Sequence, residues 1–208
     1  MTTRRVSPAP ALAVGLPAVV ILALLPFLQL GEGASAPKLF LVLGRFHPTL
    51  LHLPVALLLL ALLMELIRLT GLRRFVPEAP TAVVDLVVWL AALSGFGTAV
   101  AGWLLAHEGG YEPDLLDRHL WSGVATGIGA FACVFLRALA EARPDRHRLR
   151  GLATAALVGT CGAMILAAHA GGSLTHGEDY LTEHAPASIR RLLGLHVPRD
   201  RSLSLIHI

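Results

Sequence analysis

Five long apolar stretches, separated by short polar segments, dominate the chain. A helix needs about 20 apolar residues to cross the hydrocarbon core of a bilayer, and each stretch approaches that length. The stretches are Ala11–Leu30, Thr49–Ile67, Ala82–Ala106, Leu120–Ala140 and Leu152–Ala168. This pattern predicts an all-α, polytopic membrane bundle, with a four-helix core, one additional N-terminal helix and the lipid bilayer as a partner.

Composition agrees with this class and leaves little room for a separate soluble domain. Of the 208 residues, 55% are apolar and only 15% are charged. Soluble proteins carry about 25% charged residues. The net charge of +3 comes from arginines in the loops. We therefore interpret it as a topology signal and expect no nucleic-acid partner.

The loops alternate in charge along the chain. Lys and Arg are retained on the cytoplasmic side of a membrane. The basic loops hold Arg4, Arg5, Arg68, Arg73, Arg74, Arg143, Arg146, Arg148 and Arg150. The alternate loops hold Glu108, Glu112, Asp114, Asp117, Glu178, Asp179 and Glu183. This alternation predicts a cytoplasmic N-terminus and a C-terminus on the opposite, periplasmic side.

Three regions are expected. Residues 1–36 form an N-terminal transmembrane helix or signal anchor. Its basic start and the small residues Gly33–Ala36 resemble a signal peptide, but the long apolar run and Pro37 favour an uncleaved helix. Residues 37–181 form a four-helix membrane domain. Residues 182–208 form a periplasmic tail, which we expect to be truncated, because Arg201–Ile208 does not continue the preceding basic stretch.

Six of the ten histidines fall at one end of the last four predicted helices. Polar side chains at membrane depth are functional by default. These six are His47, His52, His107, His119, His169 and His176. The other four, which are His147, His184, His196 and His207, lie in polar segments, where we expect them to be solvated.

Each histidine alone has an ordinary explanation, as an interfacial residue or one bonded to a neighbouring carbonyl. Together they suggest a ligand cluster on the periplasmic side. Haem b suits such a bundle, because it takes neutral imidazole axially in apolar surroundings. We expect His52 with His169 as ligands, His119 with His107 as a second pair, and His47 and His176 as outer donors. Zinc or copper, helped by Glu108 and Asp117, and a proton relay remain alternatives.

Four strings carry a resemblance to a known family: Gly44–Leu57, Trp103–Tyr111, Asp117–Trp121 and His169–Leu181. They resemble the membrane domain that precedes planctomycete-type cytochrome c modules. That domain is similar to the predicted four-helix membrane family called domain of unknown function 2231. The resemblance covers about Gly44 to Leu181, and its recurring histidines match the six named above. It implies a bacterial inner-membrane anchor whose continuation is a periplasmic c-type cytochrome.

The family has no settled activity, and the chain departs from its pattern in one respect. The expected CxxCH motif for covalent haem c is missing, and Cys133 and Cys161 both lie mid-span. We therefore expect a membrane-embedded electron-transfer domain rather than an enzyme in its own right. Its partners would be the attached c-type cytochrome and a possible quinone. A non-catalytic anchor for a periplasmic module is the main alternative.

Overall fold

The computed structural model describes residues 8–28, 37–143, 145, 147–178, 180 and 182–192. Every regular element within these ranges is helical, as the hydropathy pattern predicted. Several expectations concern residues outside the described ranges. They are the basic start at Arg4 and Arg5, the cleavage-like Gly33–Ala36, Arg146, Asp179 and the tail from residue 193 onward.

Eight α-helices follow one another along the described part of the chain. They are α1 (Ala9–Leu24), α2 (Lys38–Gly44), α3 (His47–Leu50), α4 (His52–Leu69), α5 (Thr81–Ala106), α6 (Pro113–Ala142), α7 (His147–His176) and α8 (Ala187–Leu192). Short 3₁₀ turns follow α1 and α4. Among the described residues, five helical stretches are long and apolar enough to cross a membrane, namely Ala9–Phe27, Lys38–Leu69, Thr81–Ala106, Pro113–Ala142 and His147–His176.

The last two long helices extend well beyond their apolar stretches. Helix α6 begins at Pro113, where the Glu112 carboxylate accepts hydrogen bonds from the backbone N–H groups of Asp114 and Leu115. Such caps satisfy backbone donors without needing apolar side chains. Helix α7 continues to His176 and ends before Gly177, whose φ is 92°. As a result His119 and His169 lie inside helices, whereas the hydropathy pattern places them at helix ends.

Helices α4, α5, α6 and α7 contact one another in a ring, α4 with α5, α5 with α6, α6 with α7, and α7 with α4. Helix α1 packs against α6 and α5, and α2 and α3 pack against α5. The interior of the ring is rich in small residues such as Ala61, Ala91, Ala92 and Ala130, all nearly inaccessible. Small residues let helix backbones approach closely, which is how membrane helices associate.

Charged side chains join the helices at one end of the bundle, which we call the charged end. Glu65 of α4 is only 5% exposed. It accepts hydrogen bonds from Arg68 on its own helix and from the Thr154 hydroxyl of α7. Arg137 of α6 donates to Asp85 of α5 over 2.7 Å. The hydropathy pattern did not predict these contacts between helices, although Glu65, Asp85 and Arg137 are charged residues inside apolar spans, which is itself a signal.

Candidate functional site: a histidine cavity

The turn between α2 and α3 lies directly against α5 at the opposite end of the bundle, which we call the histidine end. A Cβ on Gly44 would lie 2.6 Å from the backbone nitrogen of Leu105, so only glycine allows this approach. The next residue, Arg45, forms an ion pair with Glu108 just beyond α5. This docking explains the position of His47, the first residue of α3.

The His47 ring rests on α5. Its Nδ1 lies 2.9 Å from the backbone oxygen of Thr98. A Cβ on Gly102, one helical turn further along α5, would lie 2.8 Å from both Nδ1 and Cε1 of this ring. Gly102 therefore supplies the space that the imidazole occupies.

The His119 ring rests on α7 in the same way. Its Nδ1 lies 2.8 Å from the backbone oxygen of Ala167. A Cβ on Gly171, again one helical turn further along, would lie 2.7 Å from Cε1 and 3.0 Å from Nδ1 of the ring. Each imidazole is thus held by one carbonyl oxygen and one glycine on the neighbouring helix.

These two imidazoles meet inside the bundle. Their ring centroids are 5.9 Å apart, and the ring planes are inclined by 81°. A carbonyl oxygen only accepts hydrogen bonds, so Nδ1 of each ring carries the proton. In the neutral rings this leaves both Nε2 atoms with a free lone pair. Metal-binding histidines typically have this arrangement, with the second ring nitrogen donating to a carbonyl or carboxylate.

The matching surroundings of His47 and His119 reflect an internal repeat. The pattern Gly-x-x-Leu-x-His-x-x-x-Tyr occurs as Gly102–Tyr111 after the middle of α5 and as Gly171–Tyr180 at the end of α7. At the charged end the corresponding helix pairs are also joined, α4 to α7 through Glu65 and Thr154, and α6 to α5 through Arg137 and Asp85. The α4–α5 and α6–α7 hairpins therefore form a pseudo-two-fold unit, with His47 and His119 in equivalent positions.

A cavity of about 510 Å³ opens beside the two rings. Ligand sites typically measure 300–1,000 Å³ and are mainly apolar, with a few polar groups that fix orientation. Small and apolar residues from α4, α5, α6 and α7 form most of this wall, including Val55, Leu58, Ala91, Ala130 and Met164. The polar side chains in the wall are His47, His52, Thr98, Tyr111, His119, Thr126, Thr175 and His176.

The other four predicted site residues lie either at the mouth of the cavity or outside its lining. His52 and His176 line the cavity but are exposed at its mouth. The His107 Nδ1 lies 2.8 Å from the Trp103 oxygen of its own helix, outside the cavity lining. His169 is exposed and is not among the lining residues. The closest histidine pair is therefore His47 with His119, in place of the expected His52 with His169.

One buried polar atom in the cavity wall has no hydrogen-bond partner among the described residues. It is Oγ1 of Thr98, a residue that is 8% exposed. The backbone oxygen of the same residue holds His47. The sequence alone did not predict a role for Thr98 or which histidine Gly102 and Gly171 accommodate, because these roles depend on which helix faces each histidine.

Titratable groups outside the spans also lie at the histidine end, and one of them, Tyr111, lines the cavity. The hydrogen bond from Arg45 lowers the pKa of the Glu108 carboxyl. Burial raises the pKa of the Tyr111 phenol, so Tyr111 is a neutral hydroxyl at physiological pH. Glu108 is thus an anion paired with Arg45.

Within the described ranges, no three His, Cys, Asp or Glu side chains converge in a way that could hold a metal ion. Comparison with protein-family models, with curated proteins and with solved structures finds no match for this chain.

Proposed function

We propose that the chain is a membrane-embedded electron-transfer domain that binds haem b between His47 and His119. The observation that carries the proposal is the pair of neighbouring imidazoles that line one mainly apolar cavity, each with Nδ1 at a backbone carbonyl and Nε2 left without a hydrogen bond among the described residues. Two imidazoles do not complete a zinc site, which takes four ligands. They do suffice for haem iron, because the macrocycle supplies the remaining nitrogens. When bound, haem b would supply one-electron oxidation and reduction.

The residues of the cavity have separate tasks in this proposal. His47 and His119 would hold the iron, and the carbonyls of Thr98 and Ala167 fix the tautomers and ring orientations of these two histidines. The apolar wall excludes water from the macrocycle. His52, Tyr111 and His176 at the mouth would face the polar edge of the ligand.

The location of the pair favours electron transfer at one membrane face. Helix α4 rises about 1.5 Å per residue, so Glu65 at the charged end lies about 20 Å below His52. His147, the histidine at the charged end, is exposed. We therefore propose one haem layer, with electrons exchanged with a c-type cytochrome at the histidine end. In this proposal α4 to α7 form the functional four-helix core and α1 is an additional helix.

Purified protein, reconstituted with haem under mild detergent, should show a Soret band and the low-spin spectrum of two imidazole ligands. The expected ratio is one haem per chain, because the repeat forms one His47–His119 pair. Absorption spectroscopy and a haem assay check this result. Protein that remains free of haem after reconstitution would instead favour a non-catalytic anchor for a periplasmic module.

The proposed orientation places the histidine end in the periplasm of a bacterial inner membrane. A periplasm-dependent reporter fused after Tyr180 should be active, and the same reporter fused after Arg74 should be silent. The physical reason is the retention of Arg-rich loops on the cytoplasmic side. The reverse activity pattern would move the histidine cavity to the cytoplasmic face and would exclude a periplasmic cytochrome as its partner.

A further inference from the structure

The charged end of the bundle holds two neighbouring cavities that take no part in the proposed haem site. The first, of about 180 Å³, lies between α4, α5, α6 and α7. The second, of about 240 Å³, lies between α1, α5 and α6. Arg137 and Glu141 line both cavities, so the last turns of α6 border the two spaces. A ligand could therefore contact both at once.

Charged side chains dominate the first cavity. Two of its arginines are paired with carboxylates, Arg68 with Glu65 on α4 and Arg137 with Asp85 on α5. These pairs are internally neutral, so the net charge offered to a ligand comes from the other groups in the lining. The complete set of charged lining residues is Glu65, Arg68, Glu78, Arg137, Glu141 and Arg150.

Three of these charged groups have no such partner. Arg150 and Glu78 are exposed, and Glu141 is half-buried. None of the three makes a hydrogen bond or an ion pair with another described residue. Arg137 adds its two terminal nitrogens, because among the described residues only its Nε forms a hydrogen bond, to Asp85. The cavity thus presents free guanidinium donors together with two free carboxylates.

The second cavity adds an apolar crevice to this polar site. Its wall includes Ala11 of α1, Trp89 of α5, and Val134 and Ala138 of α6. A helix rises 1.5 Å per residue, so Val134 lies about 10 Å deeper in the bundle than Glu141. Tryptophan is also enriched where a membrane helix meets the interface. The crevice therefore extends from the charged rim into the apolar part of the bundle.

Depth and charge together indicate the chemistry of an occupant. Glu141 lies in the last turn of α6 and Arg150 in the first turn of α7, at the level where lipid headgroups flank the hydrocarbon core. Guanidinium groups bind phosphate through charge-assisted hydrogen bonds. A purely anionic headgroup would leave the carboxylates of Glu78 and Glu141 repelled and unpaired. A headgroup that carries both a phosphate and an ammonium group satisfies both signs of charge.

We propose that the charged end binds a phospholipid of the phosphatidylethanolamine class, whose headgroup is a zwitterion with a primary ammonium. Arg150 and the terminal nitrogens of Arg137 donate to the phosphate. Glu141 and Glu78 accept from the ammonium group, and one acyl chain lies in the crevice between α1, α5 and α6. This site shares no lining residue with the histidine cavity, so it does not rest on haem binding.

The test uses the full chain, freed of lipid in detergent, and native mass spectrometry of its lipid adducts. Phosphatidylethanolamine, phosphatidylcholine and phosphatidylglycerol with identical acyl chains are compared. The parent should bind phosphatidylethanolamine about fivefold more tightly than phosphatidylcholine, the effect of one hydrogen bond, because a trimethylated nitrogen cannot donate. Phosphatidylglycerol should also bind more weakly, since it has no ammonium group. Free phosphoethanolamine should bind more weakly than the whole lipid, since it has no acyl chain.

Two pairs of variants assign the two charges of the headgroup. Glu141→Gln should abolish the preference for phosphatidylethanolamine over phosphatidylcholine. Asp145→Asn is its matched control, because this acid is exposed just beyond α6 and lines neither cavity. Arg150→Gln should weaken both lipids by a similar factor of about five. Arg148→Gln is the control for that change, because Arg148 is exposed in the same turn of α7 and lies outside both linings.

A preference for the primary ammonium that requires Glu141 and survives Asp145→Asn supports the site. Equal binding of the three lipids by the parent overturns it, as does an unchanged preference in Glu141→Gln. Binding of free phosphoethanolamine as tight as that of the whole lipid would also overturn it, because the crevice would then hold no acyl chain.

Discussion

Replacing His47 or His119 by Ala should lower haem affinity by at least about 100-fold, because even groups that only orient a metal ligand cost 10–100-fold. Both imidazoles are held by backbone carbonyls and both face the cavity, so the two losses should be similar. The measurement is haem per chain after mild extraction, together with the absorption spectrum.

Three variants separate the loss of a haem ligand from a loss of folding. His169→Ala and His147→Ala should retain the haem content of the parent, because both side chains are exposed and neither lines the cavity. His47→Gly should regain a low-spin spectrum when free imidazole is added, since the vacated space matches the lost ring. Full haem content in both His47→Ala and His119→Ala would exclude this pair as the ligands.

Hydropathy and histidine placement were sufficient to predict the all-helical fold and a common end for the histidines. The five predicted spans correspond to five apolar helices, although α6 and α7 are longer than their apolar parts. The reason is that helix length depends on backbone hydrogen bonds and caps, such as that of Glu112, and these are not apolar.

The identity of the closest histidine pair required the three-dimensional arrangement. His169 lies about 200° around an ideal helix from Gly171, which explains why it faces outward while Gly171 contacts His119. That angle was available from the sequence, but which face of α7 turns inward was not. The rotation of α7 depends on its packing against α6, for example through Thr160 and Cys133 at 3.7 Å.

The internal repeat is present in the sequence, but the hydropathy pattern does not reveal it. Gly102 and Gly171 each begin the same Gly-x-x-Leu-x-His-x-x-x-Tyr pattern. Such glycines suggest general helix packing when viewed singly. In the structure, each of these glycines lies one helical turn after a residue whose carbonyl oxygen contacts a histidine of the neighbouring helix, His47 or His119. The sequence alone does not show which histidine each glycine faces.

Gly102→Ala and Gly171→Ala should each reduce haem affinity by about 10–100-fold while the bundle still forms, since they displace a ligand without removing it. The new methyl group would lie 2.8 Å from the His47 ring in the first variant and 2.7 Å from the His119 ring in the second. A displaced ring loses the alignment of Nδ1 with its carbonyl. Haem titration, followed by the spectrum of the bound fraction, measures the effect.

Gly97→Ala and Gly162→Ala are the matched controls, one on each of the same two helices and neither in the cavity lining. A Cβ at either position meets no heavy atom within 4 Å, so both should bind haem as the parent does. Alanine stabilises a helix more than glycine does. A lower haem affinity in Gly102→Ala or Gly171→Ala would therefore not come from a general loss of helix stability. If all four variants bound haem equally, the carbonyl-and-glycine cradle would have no part in holding the imidazoles, and the pairing of His47 with His119 would lose its structural basis.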